Sequence, residues 1–409
     1  MSNIIFHIDV NSAFLSWSAI EQLENGAKID LREIPSIIGG NQKSRHGVVL
    51  AKSIPAKKYG IHTGEPVVNA FRKCPNLVME PPNHRMYEQS SNRLMEYLKK
   101  FTPDIEQVSI DECYMDFTGI AYRYHNPIEA ANQIKDEIYK KFGFTVNIGI
   151  SSVKLLAKMA SDFQKPNQVH TLFLEEICEK MWPLPVSELY MAGKSSVDTL
   201  AKLEVRTIGD LEKMDPDILK IHLKSHGQTL WEFANGIDYT SVKPEPAEAK
   251  GIGNSTTLSE DIVTMERAKE VLRQLSESVS ARLRKAGQKA CMVSVEIKYH
   301  TFQSVSHQQQ LVKAANTNDI IFKTACKLYE ELWNGEPVRL IGIRSSKLVG
   351  MEEPEQLSIF DIPLKQEKKQ VCGQQYQISD EKHQKVDKAM DEIKKKYGKQ
   401  AVIRGSLLK

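Results

Sequence analysis

Three carboxylate residues in this chain have the residue types and setting for metal-assisted chemistry. Asp9 ends the apolar run NIIFHIDV (residues 3–10), and Asp111 and Glu112 are adjacent in VSIDECYMDFTG (108–119). A carboxylate that ends a buried strand is costly unless its charge is neutralised, and Mg²⁺ prefers such hard oxygen ligands. Two Mg²⁺ ions can bind the attacking and leaving oxygens of a phosphoryl transfer. The alternative is that Asp9 caps a helix and the acidic pair forms a solvated turn, and residue types alone leave both open.

Hydrophobic periodicity predicts the elements that would position these carboxylates. Residues 3–10 are expected to form a buried strand, followed by a helix that begins near Ser12 with Phe14 and Trp17 on one face. The adjacent residues at 111–112 favour a tight turn between two strands. Strands separated by helices suggest a mixed sheet with helices packed on one face. The helices are predicted at 85–101, 126–142 and 153–163, and a further strand at 145–151.

The pattern changes after residue 169. Residues 170–237 are predicted to be helical, and residues 239–250 are rich in Pro and charge and lack periodicity, which is typical of a linker. A third unit follows, and after it the short segment 351–355 and a tail. In these parts helices are predicted at 264–286, 318–333 and 380–397, and strands at 292–300 and 338–348.

The charge is unevenly distributed along the chain. The net charge is only +3, but residues 362–409 hold 12 Lys/Arg against 6 Asp/Glu. A protein that binds a polyanion through one basic surface can be near neutral as a whole. No apolar run is long enough for a membrane span, no secretion signal is recognised, and no cysteine pair has the CxxC spacing of a zinc site or redox motif. We therefore expect a cytoplasmic protein with no membrane partner.

Four blocks of the sequence resemble, in order, motifs of the Y-family translesion DNA polymerases, and within them the bacterial DNA polymerase IV group. HIDVNSAF (7–14) is similar to the first palm motif, and VSIDECYMDFTG (108–119) to the SIDE motif. REIPSIIGG and VVLAKSIPAKKYGI, within residues 32–61, resemble the fingers segment. GISSVKLLAKMASDFQKPN (149–167) resembles the third palm block.

The resemblance implies an α+β multidomain fold of the right-hand polymerase type. Its parts would be a ferredoxin-like palm, fingers, a helical thumb with a helix-hairpin-helix, and an α/β little finger. The boundaries expected from the motifs are palm 1–10 and 76–168, fingers 11–75, thumb 169–238, linker 239–250, little finger 251–349, clamp-binding peptide 350–361 and basic tail 362–409.

The resemblance also assigns the acidic residues. Asp9, Asp111 and Glu112 would be the catalytic metal ligands, with the backbone carbonyl of Val10 as a further oxygen, and would hold two Mg²⁺ ions. The expected reaction is DNA-directed DNA synthesis, in which dNTP is added to the primer 3′-hydroxyl. No segment is recognised as a proofreading exonuclease, so we expect low fidelity and lesion bypass by a protein that acts as a monomer.

The nucleotide pocket follows the family in part. Phe14 falls at the steric gate, a ring beneath the sugar that excludes a 2′-hydroxyl, although it could instead be a core residue beside Trp17. Lys165, in the KPN triplet, falls where the family contacts the triphosphate, although it could be a surface lysine. Asn11 and Ala13 stand where many relatives carry Asp and an aromatic residue.

The fingers segment departs from the family pattern. Where relatives often carry Tyr and Arg against the triphosphate, this chain has Ile54 and Lys57. Lysine keeps the charge of arginine but not its bidentate fork, and Ile54 cannot donate a hydrogen bond. We therefore expect weaker nucleotide binding, or compensation by Lys52, Lys58 or Tyr87.

Contacts to primer–template DNA are predicted in the thumb and the little finger. In the thumb, the family turn Gly-x-Gly reads Met191-Ala192-Gly193, followed by Lys194 and Ser195, two good phosphate ligands. We expect the backbone turn to be impaired, because a methionine resists positive φ. In the little finger, residues on or near predicted strands could follow the phosphate backbone: Lys298, Arg339 and Arg344.

Two features lie beyond the little finger. The peptide Gln356–Phe360 (QLSIF) resembles the peptide with which bacterial proteins bind the sliding clamp, with Gln356 as a polar head and Leu357 and Phe360 as apolar anchors. The alternative is a linker that packs on its own domain. For residues 362–409 we expect a mobile basic arm that adds affinity for DNA or a partner.

Two other classes of function remain as alternatives. One is a non-catalytic, clamp-bound DNA-repair scaffold, which loss of any of the three carboxylates would have favoured. The other is a nucleotidyl cyclase, which can share a palm-like core, although the linker-joined basic domain and the clamp peptide argue against it.

Overall fold

The computed structural model describes residues 3–40, 47–245, 248–353, 370–398 and 401–402, with the backbone alone described for 370–383. The chain divides into two compact units, Met1–Gln42 with Gly47–Pro246, and Lys43–His46 with Ala247–Lys409. The first unit contains, in chain order, β1 (Ile5–Val10), α1 (Ala13–Glu24), β2 (Ser36–Gly39), β3 (Val49–Lys52), α2 (Ile54–Lys57), α3 (Val67–Lys73), β4 (Val78–Glu80), α4 (His84–Leu98), β5 (Ile105–Gln107), β6 (Glu112–Asp116), α5 (Pro127–Phe142), β7 (Val146–Ser151), α6 (Lys154–Ser161), β8 (Val169–Thr171), α7 (Ile177–Lys180), α8 (Lys194–Lys202), α9 (Ile208–Glu212), α10 (Pro216–Leu223) and α11 (Ser225–Ala234).

The palm is a five-stranded sheet with β1 at its centre. The strand order is β5-β6-β1-β7-β8, in which β1 pairs antiparallel with β6 and β7, while β8 runs parallel to β7. Without the edge strand β8, this is the βαββαβ order of the ferredoxin-like fold, as predicted. The turn at 108–111 joins β5 to β6 and confirms the tight turn expected beside Asp111.

Alternation along β1 determines what each face of the palm sheet contacts. Phe6, Ile8 and Val10 are buried in a core with α4 and α5. The intervening residues point to the other face, where α6 packs on β1 and β7. The approach of α6 requires a glycine at position 149, because a Cβ there would lie 1.9 Å from the carbonyl oxygen of Ala157. The prediction of helices on one face was therefore wrong, and a helix lies on each side.

The fingers are built on a small sheet of order β3-β2-β4, with α2 and α3 around a core that includes Ile37, Val49 and Ile61. Two domain boundaries differ from the prediction. β4 pairs with β2, so the fingers extend to residue 80, and β8 joins the palm sheet, so the palm extends to residue 171. Helix α1 contributes to both parts, since Trp17 packs in the palm core and Leu15 packs with the fingers strands.

The thumb consists of the short helices α7–α11 around a core that α6 also enters through Leu155, Leu156 and Met159. After α11 the chain returns to the palm, where the backbone N–H of Lys243 donates to Glu106 Oε2 at 2.8 Å. The first part of the predicted linker is therefore attached to the palm. No helix in the part of the chain that the structure describes is long and apolar enough to cross a bilayer.

The second unit holds the little finger. Its elements are β9 (Gly251–Ile262), α12 (Met265–Lys285), β10 (Gln288–Tyr299), β11 (Ser304–Ala315), α13 (Asn318–Leu332), β12 (Val338–Gly350) and α14 (Gln370–Tyr397). The antiparallel sheet has the order β11-β10-β12-β9. Alternate residues such as Val295, Ile297 and Ile343 are buried with α12 and α13, so the helices cover one face.

The tail helix α14 is packed against the little finger through a buried ionic network. Arg284, whose side chain is only 9% exposed, contacts Asp391 through Nε at 2.6 Å and Asp387 through Nη1 at 3.4 Å. Asp387 Oδ2 also accepts from the backbone N–H of Asn318 at 2.9 Å, which caps the first turn of α13. The predicted mobile arm is therefore wrong for this part of the tail, because acidic side chains of α14 neutralise a buried arginine.

Candidate active site

Asp9 and Glu112 face each other on neighbouring strands. In the antiparallel register of β1 and β6 their Cα atoms are direct partners, so both side chains point to the same face of the palm sheet. Asp111 precedes β6, and its carbonyl accepts from the backbone N–H of Val10 at 3.1 Å. The fold thus brings the three predicted carboxylates, separated by more than a hundred residues in sequence, to one end of β1.

Each carboxylate of this group is held by neighbouring side chains. Lys165 binds Asp9 directly and also contacts Asp162, with Nζ 2.9 Å from Oδ1. Lys158 Nζ lies 3.3 Å from Glu112 Oε1. Ser109 Oγ donates to Asp111 Oδ1 at 2.6 Å. Among the residues that the structure describes, no three acidic, His or Cys side chains form a ready metal cage, and two ammonium groups neutralise the acids instead.

Burial and these partners shift the pKa values in opposite directions. Burial raises the pKa of Asp9 above its usual range, against the opposing effect of the Lys165 ammonium. The His7 imidazole and the Lys158 ammonium hold the pKa of Glu112 at about 2. His7 Nε2 lies 3.5 Å from Glu112 Oε2, and burial lowers the pKa of this imidazole. Glu112 is therefore an anion at neutral pH, as a metal ligand must be.

A cleft of about 430 Å³ opens between the palm and the fingers beside these groups. Its lining includes Asp9, Asp111 and Lys165 from the palm and Phe14 from α1. The Phe14 ring stacks on Tyr87 with ring centroids 4.5 Å apart and planes 9° from parallel. Phe14 is thus a partly buried ring in the wall of the cleft, with a rigid aromatic support beneath it.

The predicted nucleotide contact of Tyr87 is wrong. Tyr87 is fully buried, and its hydroxyl forms a 2.9 Å hydrogen bond with Ser18 Oγ, so it is shielded from the cleft by Phe14. Of the other residues expected to compensate for the missing arginine, Lys52 lines the cleft and Lys58 does not. Lys57, which stands in place of that arginine, also lines the cleft. Burial, followed by the charge of Lys57, lowers the pKa of Lys52. Two lysines of the fingers therefore contribute to the cationic wall, beside Arg32, which also lines the cleft and is paired with Asp30.

Comparisons with known proteins decide the family. The sequence profile of the impB/mucB/samB family matches residues 8–162, and that of the impB/mucB/samB family C-terminal domain matches residues 249–359. This chain belongs to the impB/mucB/samB family. The three predicted carboxylates and the KLLAKMAS helix lie within the first match.

Relatives that match this chain over its full length agree with this assignment. The chain is 47% identical over 408 residues to DNA polymerase IV of Clostridium acetobutylicum, covering 100% of this chain and 99% of that protein. It is 36% identical over 410 residues to DNA polymerase IV 1 of Bacillus subtilis, covering 100% and 94%. A solved Y-family DNA polymerase chimera, Dbh-Dpo4(243-245)-Dbh, has the same fold, with a TM-score of 0.74 at 24% identity over 85% of this chain and 99% of that one. The resemblance to Y-family polymerases and the α+β multidomain fold are confirmed.

The backbone of the thumb turn differs from the impaired turn that the sequence predicted. Met191 adopts φ 68°, so the methionine does enter the left-handed region that glycine would favour. Gly193 instead has φ −72° and precedes the first residue of α8, Lys194, with Ser195 next to it. The turn is therefore formed with Met191 in place of the first glycine of the family turn. Both predicted phosphate ligands, Lys194 and Ser195, are exposed on it.

The open face of the little-finger sheet carries polar side chains, two basic residues and the exposed Glu296. Arg344 pairs with Ser294 in the β10–β12 register, and Lys298 lies four residues further along β10 on the same face. Arg339 lies in the irregular part of that register, with its guanidinium 4.8 Å from the ring centroid of Phe302. Lys298 and Arg344 thus share a surface, and Arg339 belongs to its edge. The predicted clamp residues Gln356, Leu357 and Phe360 lie outside the described residues.

Several residues that shape the site were missed by sequence reasoning. Lys158 pairs with Glu112 and with Asp162, which lies one helical turn later, and His7 lies two residues before Asp9 on the same face of β1. The i, i+4 spacing of Lys158 and Asp162 was a usable signal, since such pairs share a helix face. Asn147, buried opposite Asp9, gave no sequence signal because its role depends on a loop that folds back onto β7.

Proposed function

We propose that this chain is a low-fidelity, template-directed DNA polymerase that extends primers past damaged template positions, using Mg²⁺. The observation that carries the proposal is the pairing of Asp9 with Glu112 on one face of the palm sheet, at the mouth of a cleft lined by Phe14 and lysines. The DNA polymerase IV names of the full-length relatives support the same activity. A clamp-bound scaffold or a nucleotidyl cyclase is not favoured, because the full-length relatives are named as DNA polymerases.

The residues at the end of β1 fit divalent metal ions. Carboxylate and carbonyl oxygens are hard ligands, and the ammonium groups on Asp9 and Glu112 indicate a strong local demand for positive charge. Asp9, Asp111 and Glu112, with the carbonyl of Val10, would hold the ions. Bound Mg²⁺ would stabilise the attacking and leaving oxygens as the primer 3′-hydroxyl displaces pyrophosphate from a dNTP.

The remaining parts of the cleft suit a deoxynucleotide. Lys52, Lys57 and Lys165 line it and would hold the triphosphate as point charges. Phe14, fixed against Tyr87, would lie beneath the sugar and exclude a 2′-hydroxyl by steric clash. The lysine at position 57 cannot form the bidentate fork of an arginine, which predicts modest nucleotide affinity.

DNA would be held outside the cleft. Phosphate contacts position the protein without reading sequence. Lys194 and Ser195 at the start of α8 would bind backbone phosphates through the thumb, near Gly193. In the little finger, Lys298, Arg339 and Arg344 would add charge from one sheet.

Primer extension tests this proposal. Purified protein, a labelled primer–template and the four dNTPs in Mg²⁺ should give extension on an undamaged template and past an abasic position, with no shortening of a mismatched primer. Binding of DNA without any extension would favour the scaffold instead. Conversion of ATP or GTP to a cyclic product without a template would favour the cyclase.

A sliding-clamp tether would complete the function. Gln356–Phe360 would bind an apolar cleft on the clamp, and burial of Leu357 and Phe360 would contribute about 3–6 kcal/mol before ordering costs. A tether raises local concentration without altering the chemistry. Leu357→Ala with Phe360→Ala should therefore leave extension of a short linear primer unchanged but abolish stimulation by a loaded clamp. Stimulation that survives this double substitution would place the tether elsewhere.

A further inference from the structure

Asn147 is a fully buried amide that lies beside the catalytic carboxylates. It is the Cα partner of Asp9 in the β1–β7 register and shares its face of the sheet. Its Nδ2 donates to the carbonyls of Ser161 at 3.1 Å and Gln164 at 2.8 Å. Its Oδ1 accepts from the backbone N–H of Gln168 at 3.2 Å. This one side chain therefore holds both ends of the segment 164–168.

Asn11 completes the arrangement from the end of β1. Its Nδ2 donates to Asn147 Oδ1 at 3.1 Å, and its Oδ1 accepts from the backbone N–H of Asn167 at 3.0 Å. Its own backbone is held on both sides, since its N–H donates to the carbonyl of Thr145 at 3.0 Å and its carbonyl accepts from Ser16 Oγ at 2.7 Å. Asn11 is thus fixed before it contacts the loop.

The polarity of this network allows only one orientation of the two amides. Backbone carbonyls can only accept, so Asn147 must direct its nitrogen toward Ser161 and Gln164 and its oxygen toward Asn11. Asn11 must then present its nitrogen to Asn147 and its oxygen to the loop N–H. An aspartate at position 11 would keep the acceptor but lose the donor and place two oxygens together.

The segment held in this way carries Lys165. Its ammonium binds Asp9 and Asp162 and lies in the wall of the cleft. A lysine side chain is flexible, so the position of its charge depends on the backbone from which it extends. Two amides anchored on β1 and β7 therefore locate this charge relative to the carboxylates on the same sheet.

We propose that Asn11 and Asn147 are positioning residues for nucleotide binding, which hold the 164–168 loop so that Lys165 meets the triphosphate of the incoming dNTP. This rests on the proposed function, in which Lys165 contacts the triphosphate. Neither amide touches the reacting atoms, and their effect passes through Lys165.

Two measurements separate positioning from chemistry. The dNTP Kd is measured on a dideoxy-terminated primer–template, where no bond forms, and kcat and KM on an extendable primer. Asn11→Ala should raise the dNTP Kd and KM about tenfold, because partly buried hydrogen bonds to Asn147 and to the loop are lost, while kcat changes by less than about twofold. Asn132→Ala, which removes the same amide group from α5, is the matched control and should change neither.

A double-mutant cycle with Lys165→Ala identifies the route of the effect. If Asn11 acts through Lys165, Asn11→Ala should add less than about twofold to the dNTP Kd once Lys165 is gone. Asn147→Ser, which shortens the buried side chain and removes its amide, should reproduce the loss of dNTP affinity. DNA binding by the same preparation verifies that this variant is folded. Full additivity with Lys165→Ala, or an unchanged dNTP Kd in Asn11→Ala, overturns the proposal.

Different results would overturn the positioning role of Asn11 and the proposed polymerase function. If Lys165→Ala weakens dNTP binding but Asn11→Ala does not, the positioning role is wrong and the polymerase function stands. If wild-type protein gives no template-directed extension, the proposed function itself is wrong.

Discussion

The palm and the little finger each have two helices over one face of a sheet, but their other faces differ. The palm sheet, which has one parallel strand at its edge, is also covered by α6 on that face, whereas the little-finger sheet is open there. In the palm that face presents Asp9 and Glu112, and in the little finger it presents Lys298 and Arg344 together with the acidic residue Glu296. The architecture is therefore similar, and the residues that alternate outward on each sheet determine whether the surface suits cations or a polyanion.

The two faces also differ in how firmly their charges are held. Asp9 is only 6% exposed and is bound by Lys165, and Glu112 has partners on two sides. Arg344 is exposed on its strand. Catalysis depends on charges whose positions are fixed before the reaction, whereas binding of backbone phosphates requires only that positive charge lies near the surface. Substitutions should therefore have large effects on rate in the palm and small effects on affinity in the little finger.

The largest effect is expected at the acidic face. Asp9→Ala or Asp111→Ala should lower single-nucleotide incorporation by about three orders of magnitude or more, because a two-metal site loses its geometry with one ligand. DNA affinity, measured by fluorescence anisotropy, should be nearly unchanged. Asp136→Ala removes an exposed carboxylate on α5 and should behave as wild type. Near-normal extension by Asp111→Ala in Mg²⁺ would rule out the metal assignment.

The next effect concerns folding of the second unit. Arg284→Ala leaves Asp387 and Asp391 without their buried partner and should destabilise the protein by about 3–5 kcal/mol in urea unfolding. Arg267→Ala removes an exposed pair with Glu270 and should cost less than about 1 kcal/mol. Equal losses for the two variants would mean that α14 is not anchored by this network.

Sugar selection should show an intermediate effect. Phe14→Ala removes the ring that lies over Tyr87 and should improve ribonucleotide use relative to deoxynucleotides by about tenfold to a hundredfold. Tyr87→Phe removes only the hydroxyl that contacts Ser18 and should leave selectivity unchanged. Single-nucleotide kinetics with dNTP and rNTP measure both, and unchanged selectivity in Phe14→Ala would assign the ring to packing alone.

The smallest effect is expected at the basic face. Arg344→Ala should weaken DNA binding modestly and reduce the slope of log K against log salt by about one. Arg273→Ala removes an equal charge from α12, where it stacks over Phe322, and should leave the slope unchanged. Identical slopes for wild type and Arg344→Ala would exclude this face from DNA contact.

The sequence predicted the acidic face well, because Asp9 and the Asp111–Glu112 pair lie in motifs whose strands and turn were recognisable locally. It could not predict what depends on tertiary approach. The helix α6 lies on the second face of the sheet, and its close approach to β7 depends on the absence of a side chain at Gly149.

The prediction of a mobile basic tail, which relied on net charge, failed for a related reason. The excess of lysine over residues 362–409 indicated a free arm, but a net charge does not reveal that Asp387 and Asp391 meet Arg284 from another helix. At Met191, the intrinsic backbone preference indicated a broken turn, and the surrounding thumb overrides that preference.

The most direct test compares Glu112→Gln with Arg344→Ala in single-turnover incorporation, with the rate at saturating DNA and the DNA Kd taken from the same titration. Glu112→Gln keeps the shape of the side chain but removes the charge that faces Lys158 and His7. This division of roles predicts a loss of about three orders of magnitude in rate with an unchanged DNA Kd for Glu112→Gln. For Arg344→Ala it predicts an unchanged rate with a modestly weaker DNA Kd. A near-normal rate in Glu112→Gln would contradict it.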